Sequence, residues 1–526
     1  MTNHAPPRPD KQLSPSIFAI AFAGVFIFLY LWTVLLPATP VVVTNDQVLF
    51  FSRAVRIVHG QVLYRDFFEL VTPGTDLLYA AGFRLFGIHA WLIPAWSITV
   101  GLALCSLITL IASKILRGPL LLLPALSFLV FDFSTGLDLT HHWYSTLFAL
   151  AAVAVLAEGE GATLRQIAAA SSLSAMATLF TQTKGVLVFL ALVVYVLWLK
   201  RFRTQTSNIL KQLAALILPF AAVLSSVLGY YVHRAGFRTF FFDLVTFPMK
   251  YMSGDDANSP RLYLRQLHPM LAHHAPSDII RLIPFLFIYA LVPYTYLFGL
   301  HQLWSKRTML PPALRQHLVL LHLVGLALFL AIANGPSFFR LGAAAPPAIL
   351  IFIWLISRQS PTLQLVRRAL WILALFFAVL LPIYRQTQWH ATLDLPIGRT
   401  AFNDILTFQE YQWLAQHTHP SELFFNEFAA GFYLSLSNPT PSEFTTEAEF
   451  TRPEEVAAIL QSLQHNPPPF VVLPHLSTNA FNPHDHSAPF LQYIHANYHL
   501  DQIFPVDHAQ FSRELWERGP APNQTQ

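Results

Sequence analysis

Apolar residues fall in long blocks along this chain, near 17–36, 90–113, 119–131, 143–157, 166–181, 185–199, 209–231, 279–300, 317–333, 342–357 and 369–384, each closed by charged residues or by Gly and Pro. About twenty apolar residues in helical form cross a bilayer. The pattern therefore predicts about eleven membrane spans, the shorter of which need protein neighbours or extension into the loops. Three polar regions interrupt the blocks: 37–89, 232–278 and 385–526. In the last, a helical stretch at 408–416, an apolar run at 422–426, a helix at 453–464 and a strand at 470–474 predict a small α/β soluble domain. The fold class is thus a polytopic α-helical membrane protein, divided into an N-terminal tail 1–16, a transmembrane domain 17–384 with outside loops 37–89 and 232–278, and a C-terminal domain 385–526.

Composition narrows this. With 54% hydrophobic and 11% charged residues in 526, and a mean hydropathy of +0.48, the chain has too little polar surface to coat a water-soluble globule of its size. The net charge of +4 does not point to nucleic acid, because the basic residues are scattered between apolar blocks rather than gathered into a stripe. They follow topology instead. With the N-terminus inside, the inside loops carry Lys114 and Arg117; Arg165; Lys200, Arg201, Arg203 and Lys211; Lys306, Arg307 and Arg315; and Arg358, Arg367 and Arg368. The short outside loops carry only Lys184 and Arg340, and an odd span count puts the C-terminus outside. Arg8 and Lys11 before the first block read as the flank of an uncleaved signal anchor. The single cysteine, Cys105, lies within an apolar block, so there is no disulfide framework.

The first outside loop is too long and too patterned for a linker. Thr44 and Gln47 have capping-box spacing ahead of an amphipathic run to His59. Its polar face carries Ser52, Arg53 and Arg56, and its other face, with Leu49, Phe50 and Ile57, suits a membrane surface. The run Gly60-x-x-x-Tyr64-Arg65-Asp66-Phe67-Phe68 follows, then Glu69, a Pro73-Gly74 turn, and a helix ending Phe83-Arg84-Leu85-Phe86 before Gly87. An acid just after the first span, a surface helix and this motif together resemble the polyprenyl-phosphate-sugar-dependent glycosyltransferases of the GT-C superfamily, in particular the bacterial relatives of protein O-mannosyltransferases and of the lipid A aminoarabinose transferase. His141-His142-Trp143 and Thr181-Gln182-Thr183-Lys184-Gly185 fit more loosely. One departure stands out: many relatives have Asp-Glu where this chain has Asp46-Gln47.

The resemblance implies an inverting transfer of a sugar from a polyprenyl-phosphate donor to a hydroxyl on a lipid, glycan or protein acceptor. Such a transfer needs a base for the incoming proton and cations for the departing phosphate. It implies Asp46 as the base; a plain helix-capping role is the alternative, since the N-terminal dipole favours a carboxylate there. The phosphate-binding candidates are Arg65, Lys184 and Arg340, weighed against an Arg65–Asp66 ion pair and against snorkelling of Lys184 and Arg340 to headgroups. Asp66, Glu69, His141 and His142 are candidates for acceptor or loop support. A metal at His141, His142 and Asp138 is weighed and not favoured, and no cofactor is expected, because sequence adjacency does not supply ligand geometry. The tail histidines 475, 484, 486, 495 and 499 follow no ligand spacing, and Asp255-Asp256 reads as a solvated turn. The expected location is the bacterial inner membrane, with the C-terminus periplasmic and membrane lipids around the spans. A secondary transporter or lipid flippase and a non-catalytic envelope-assembly scaffold remain as alternatives, although no internal repeat of the transporter kind is present.

Overall fold

Every apolar block of the sequence becomes helical. The computed structural model describes residues 14–44, 46–135, 137–159, 162–201, 209–251, 259–266, 276–306, 308–358, 360–426, 430–441, 452–474, 488–504 and 512–519. The chain runs through α1 (Pro15–Thr33), a two-residue hairpin of β1 (Val34–Leu35) and β2 (Thr39–Pro40), α2 (Asp46–Val58), α3 (Gly74–Phe86) and α4 (Leu92–Ile115). Next come α5 (Leu123–Phe128), α6 (His141–Leu156), α7 (Leu164–Phe180), α8 (Gln182–Arg201), α9 (Ile209–Ala235), α10 (Phe237–Phe241) and α11 (Phe247–Tyr251). The helical body closes with α12 (Pro276–Ser305), α13 (Pro312–Leu330), α14 (Phe338–Ala344), α15 (Pro346–Ile356) and α16 (Pro361–Thr387). Two π-helical turns, Leu129–Phe133 after α5 and Phe242–Thr246 after α10, interrupt the regular ladders.

Among the described residues, seven helices are long and apolar enough to cross a membrane: α1, α4, α8, α9, α12, α13 and α16. The pair α14–α15, bent by 65°, makes an eighth if counted as one span. The remaining predicted blocks are the shorter segments Leu123–Phe133 and His141–Leu156 and the 17-residue α7. Length separates the groups, and packing explains it. Short helices survive where protein replaces lipid around them, and α6 and α7 are lined with Ala, Ser and Thr that let backbones approach. Ala149, Ala152, Ala170, Ser171, Ser174 and Ala175 are all fully buried, and the Ser171 hydroxyl donates to the Leu216 carbonyl of α9. A capping box of Thr163 and Gln166 starts α7.

The α7–α8 turn depends on Gly185, where a Cβ would lie 2.1 Å from the Thr178 backbone nitrogen. Gly185→Ala is therefore expected to force α8 away from α7 and to destabilise the protein by about 1–3 kcal/mol. A thermal unfolding midpoint in detergent equal to that of the wild type would refute this.

Beyond α16 the chain forms a hairpin of β3 (Ala391–Leu395) and β4 (Gly398–Phe402), then α17 (Ile405–His417), β5 (Phe424–Asn426), α18 (Pro453–His465), β6 (Phe470–Pro474), α19 (Ala488–Asn497), β7 (Tyr498–Phe504) and β8 (Arg513–Arg518). The sheet order is β5-β6-β8-β7, with β5 and β6 parallel and the other pairs antiparallel. Phe425, Ile459, Val471, Phe490 and Ile494 form its core with α18 and α19. The buried pair Arg513–Glu410, 2.8 Å apart, ties β8 to α17.

This region packs onto the first polar loop. The Val42 amide donates to the Ala401 carbonyl at 2.8 Å, the Phe68 amide to the Pro441 carbonyl at 2.9 Å, and the Val43 amide to the Tyr433 hydroxyl at 2.8 Å. Phe432 stacks against Phe51 of α2 with ring centroids 5.1 Å apart. The apolar face of α2 is accordingly covered by protein, with Phe51 also against Tyr79 and Trp96.

Candidate functional site

The start of α2 is capped from a distant loop. The Gln47 amide donates to Asp138 Oδ1 at 2.9 Å, and the Gln47 side chain accepts from the Leu139 amide at 3.1 Å. Its amide nitrogen lies 3.5 Å from the Tyr79 hydroxyl, which itself donates to the Leu139 carbonyl. A carboxylate at a helix N-terminus meets unpaired N–H groups and the positive end of the dipole. Here Asp138 takes that place, so the carboxylate of Asp46 is left facing outward.

Asp46 is exposed, next in sequence to the buried Gln47. Burial raises its carboxyl above the ordinary 3.8, and the charges of Arg340 and Arg53 pull against that rise. Asp138 is enclosed and pushed well above the ordinary range, by burial first and then by the negative charge of Asp46, with the Gln47 N–H opposing. Two nearby carboxylates do not both ionise readily. Of the two carboxyls the enclosed Asp138 is pushed up further, so Asp46 is the more readily ionised of the pair.

Arg340 lies in the first turn of α14, and its charge acts on Asp46. Its amide bonds the Ser337 hydroxyl cap at 3.3 Å, and its guanidinium bonds the Gly335 carbonyl at 3.1 Å. Lys184 is fully buried, with its ammonium 3.4 Å from the His142 carbonyl and Asp132 of the first π turn as its neighbouring acid. A buried cation needs such an anion. The His141 and His142 rings lie with centroids 4.0 Å apart, tilted by 43°, flanked by Phe50 and Phe339. The structure thus groups Asp46, Arg340, Lys184, His141 and His142.

The other candidates stand apart from that group. Arg65 is exposed and grips Asp66 through two hydrogen bonds of 2.8 and 2.7 Å, while Asp66 also accepts from the Val62 amide at 2.7 Å. The arrangement holds Asp66 below its ordinary range, chiefly through the Arg65 hydrogen bond. It steadies a turn in which Tyr64 takes a left-handed φ of 66° and donates its hydroxyl to the Val71 carbonyl. Glu69 forms a buried ion pair with Arg53 and accepts from the Val71 amide at 2.9 Å. Arg53, on the face that the sequence pattern made polar, is thus buried against an acid.

Two carboxylates take roles that sequence reasoning did not give them. Asp138, weighed there only as a metal ligand, caps α2 across 91 residues. Asp243, in the second π turn, is raised to about 7, mainly by burial, with Arg452 opposing and Glu455 and Glu69 reinforcing. Arg452 places its guanidinium 4.4 Å from the Phe242 ring centroid and so joins α18 to this second loop. Among the described residues, the trio with metal-compatible spacing is His499, Asp501 and Glu517, brought together by β7–β8 pairing and away from Asp46. Residues 255, 256, 475, 484 and 486 lie outside the described residues.

No protein-family model matches the sequence, and no curated protein matches it. Among solved structures the chain is similar to ArnT from Cupriavidus metallidurans bound to undecaprenyl phosphate, with a TM-score of 0.59 at 13% identity, covering 96% of this chain and 99% of that one. The apo state of ArnT gives a TM-score of 0.58 at 14% identity, with the same coverage. The fold is thus shared with ArnT, in a chain whose described residues include seven helices long and apolar enough to cross a membrane, and it agrees with the resemblance carried by the first loop.

Proposed function

We propose that this chain is a membrane glycosyltransferase that moves a sugar from a polyprenyl-phosphate donor to an acceptor hydroxyl, with inversion at C1 and Asp46 as general base. The observation that carries the reading is Asp46 itself: an exposed acid at the start of α2, with Arg340 acting on it and Asp138 taking the helix-capping role in its place. The fold shared with ArnT, crystallised with undecaprenyl phosphate, supports the class of donor.

In the proposed step Asp46 takes the proton of the acceptor hydroxyl as its oxygen bonds to C1. The bond from C1 to the phosphate oxygen breaks, and polyprenyl phosphate leaves with the electron pair toward Arg340. Asp138, enclosed at the start of the same helix, is suited to hydrogen-bond a sugar or acceptor oxygen. Lys184 is enclosed in the ground state, so its contribution is to the field rather than to direct contact. Arg65 and Asp66 support the loop, as does Glu69 through Arg53. The chain is assigned to the bacterial inner membrane, N-terminus cytoplasmic, with the site, the polar loops and the C-terminal region periplasmic.

The test is transfer from radiolabelled polyprenyl-phosphate sugars into membrane fractions, comparing wild type with Asp46→Asn at matched abundance. Transfer from at least one donor that is lost in the variant supports the reading, and no transfer from any donor refutes it. A transporter would instead move its cargo across the membrane without altering any glycan.

A pH profile supplies a second check. The base works ionised, so the rate should fall as pH drops through the raised pKa of Asp46. Arg340 lowers that pKa. Arg340→Gln should therefore shift the acid limb to higher pH, besides lowering the rate at the plateau. An acid limb that stays in place, or moves to lower pH, would count against the assignment of Asp46.

A further inference from the structure

A cavity of about 980 Å³ adjoins the site, walled by α1, α4, α12 and α16. Trp32, Ile93, Phe285, Phe377 and Leu381 give it apolar sides. Polar side chains interrupt them, among them Gln47 and Asp138 and, also in the lining, Arg385, Gln388 and Asn403. Arg340 and Lys184 are not among its lining residues.

Arg385 is the cation of this cavity, and the fold holds it firmly. The next residue, Gln386, donates to the Leu31 and Val34 carbonyls at 2.7 and 2.8 Å and accepts from the Leu36 amide at 3.1 Å, which locks the last turn of α16 to the end of α1. The Arg385 guanidinium lies over the Trp32 ring at 4.4 Å, and its Nε is buried without a hydrogen-bond partner. Among the described residues no carboxylate pairs with it or acts on it. A guanidinium in this position presents fixed donors matched to a planar or tetrahedral oxyanion, and at the edge of an apolar space it is costly without one.

We propose that this cavity takes the acceptor, and that the acceptor is an anionic amphiphile: an apolar chain along the walls, an acidic phosphate-type group on Arg385, and a hydroxyl directed to Asp138 and Asp46. This rests on the glycosyltransferase reading and adds the acceptor class to it. The donor's departing phosphate has its own cation in Arg340, outside the cavity, so Arg385 answers a second anion. The cavity meets the site at Asp138 and at Gln47, the residue next to the proposed base.

The experiment titrates dodecyl phosphate into the purified full chain in dodecyl maltoside and reads binding by calorimetry, so its outcome is independent of transfer. Wild type should bind dodecyl phosphate, Arg385→Gln should weaken it at least about tenfold, and Arg385→Lys should retain part of the affinity. Leu381→Trp, which fills the cavity without touching the charge, should also exclude the ligand and carries the test if Arg385→Gln fails to fold. Unchanged affinity in both Arg385→Gln and Leu381→Trp would overturn the proposal. So would inorganic phosphate competing as well as the amphiphile, which would mark a free-anion site, or loss of binding in Arg340→Gln alone, which would mark the donor site. Binding as described in a protein that transfers no sugar would leave the cavity assigned and remove only the glycosyltransferase reading.

Discussion

Asp46→Asn should lower sugar transfer by about 10²- to 10⁴-fold, the contribution of a positioned general base. The substitution keeps the size and shape of the side chain and removes only its capacity to hold the proton. The start of α2 stays capped by Asp138, and Gln47 keeps its bonds to Leu139. Abundance and thermal stability should therefore remain close to wild type, and relief of the repulsion between Asp46 and Asp138 should favour the folded state slightly. The measurement is the initial rate at saturating donor in matched membranes. A loss below about tenfold would assign Asp46 to helix termination alone.

Glu69→Ala should be the most damaging substitution for stability among the first-loop candidates. Removing one partner of a buried ion pair strands the other charge, at a cost of about 3–5 kcal/mol. Arg53 is 5% exposed and Glu69 1% exposed, so water reaches neither. The expected result is a large drop in thermal midpoint in detergent, with loss of activity because α2 carries both Arg53 and Asp46. Replacing both partners together, with Arg53→Met and Glu69→Leu, should recover much of the stability, since a buried pair is often no better than apolar residues of similar volume. A double variant as unstable as Glu69→Ala would show that the carboxylate's bond to the Val71 amide matters more than the ion pair.

The helices were legible because lipid as solvent imposes a simple rule on sequence, and each apolar block obeys it. Their lengths were less so: α6 and α7 are short because neighbouring helices surround them, a property of the assembled bundle. The strand Phe470–Pro474 was legible as an apolar run, whereas β7 and β8 mix polar and apolar residues and become strands by pairing with each other and with β6. Asp46 was found through the resemblance carried by the first loop. Its partnership with Asp138 was not, because contacts across 91 residues leave no local trace. Arg53 misled for the opposite reason: helical spacing placed it on a polar face, but Glu69 folds back to neutralise it, so Arg53 is buried while Ser52 and Arg56 on the same face are half-buried. Lys184 behaved as an isolated cation near an apolar span must, and the acid it required is Asp132.

The docking of the C-terminal region on the first loop sets an order of assembly. Val43 waits for Tyr433, 390 residues later in the chain, and Arg56 for the Thr440 carbonyl, 384 residues later. Contacts of such sequence separation form late in folding, and during synthesis they form only after the spans between them have been made. The helix bearing Asp46 thus leaves the ribosome among the first elements and acquires its final neighbours among the last. A nascent chain is built with its candidate base unfinished until nearly the whole polypeptide is in place, so partial products of synthesis do not carry a completed site into the membrane.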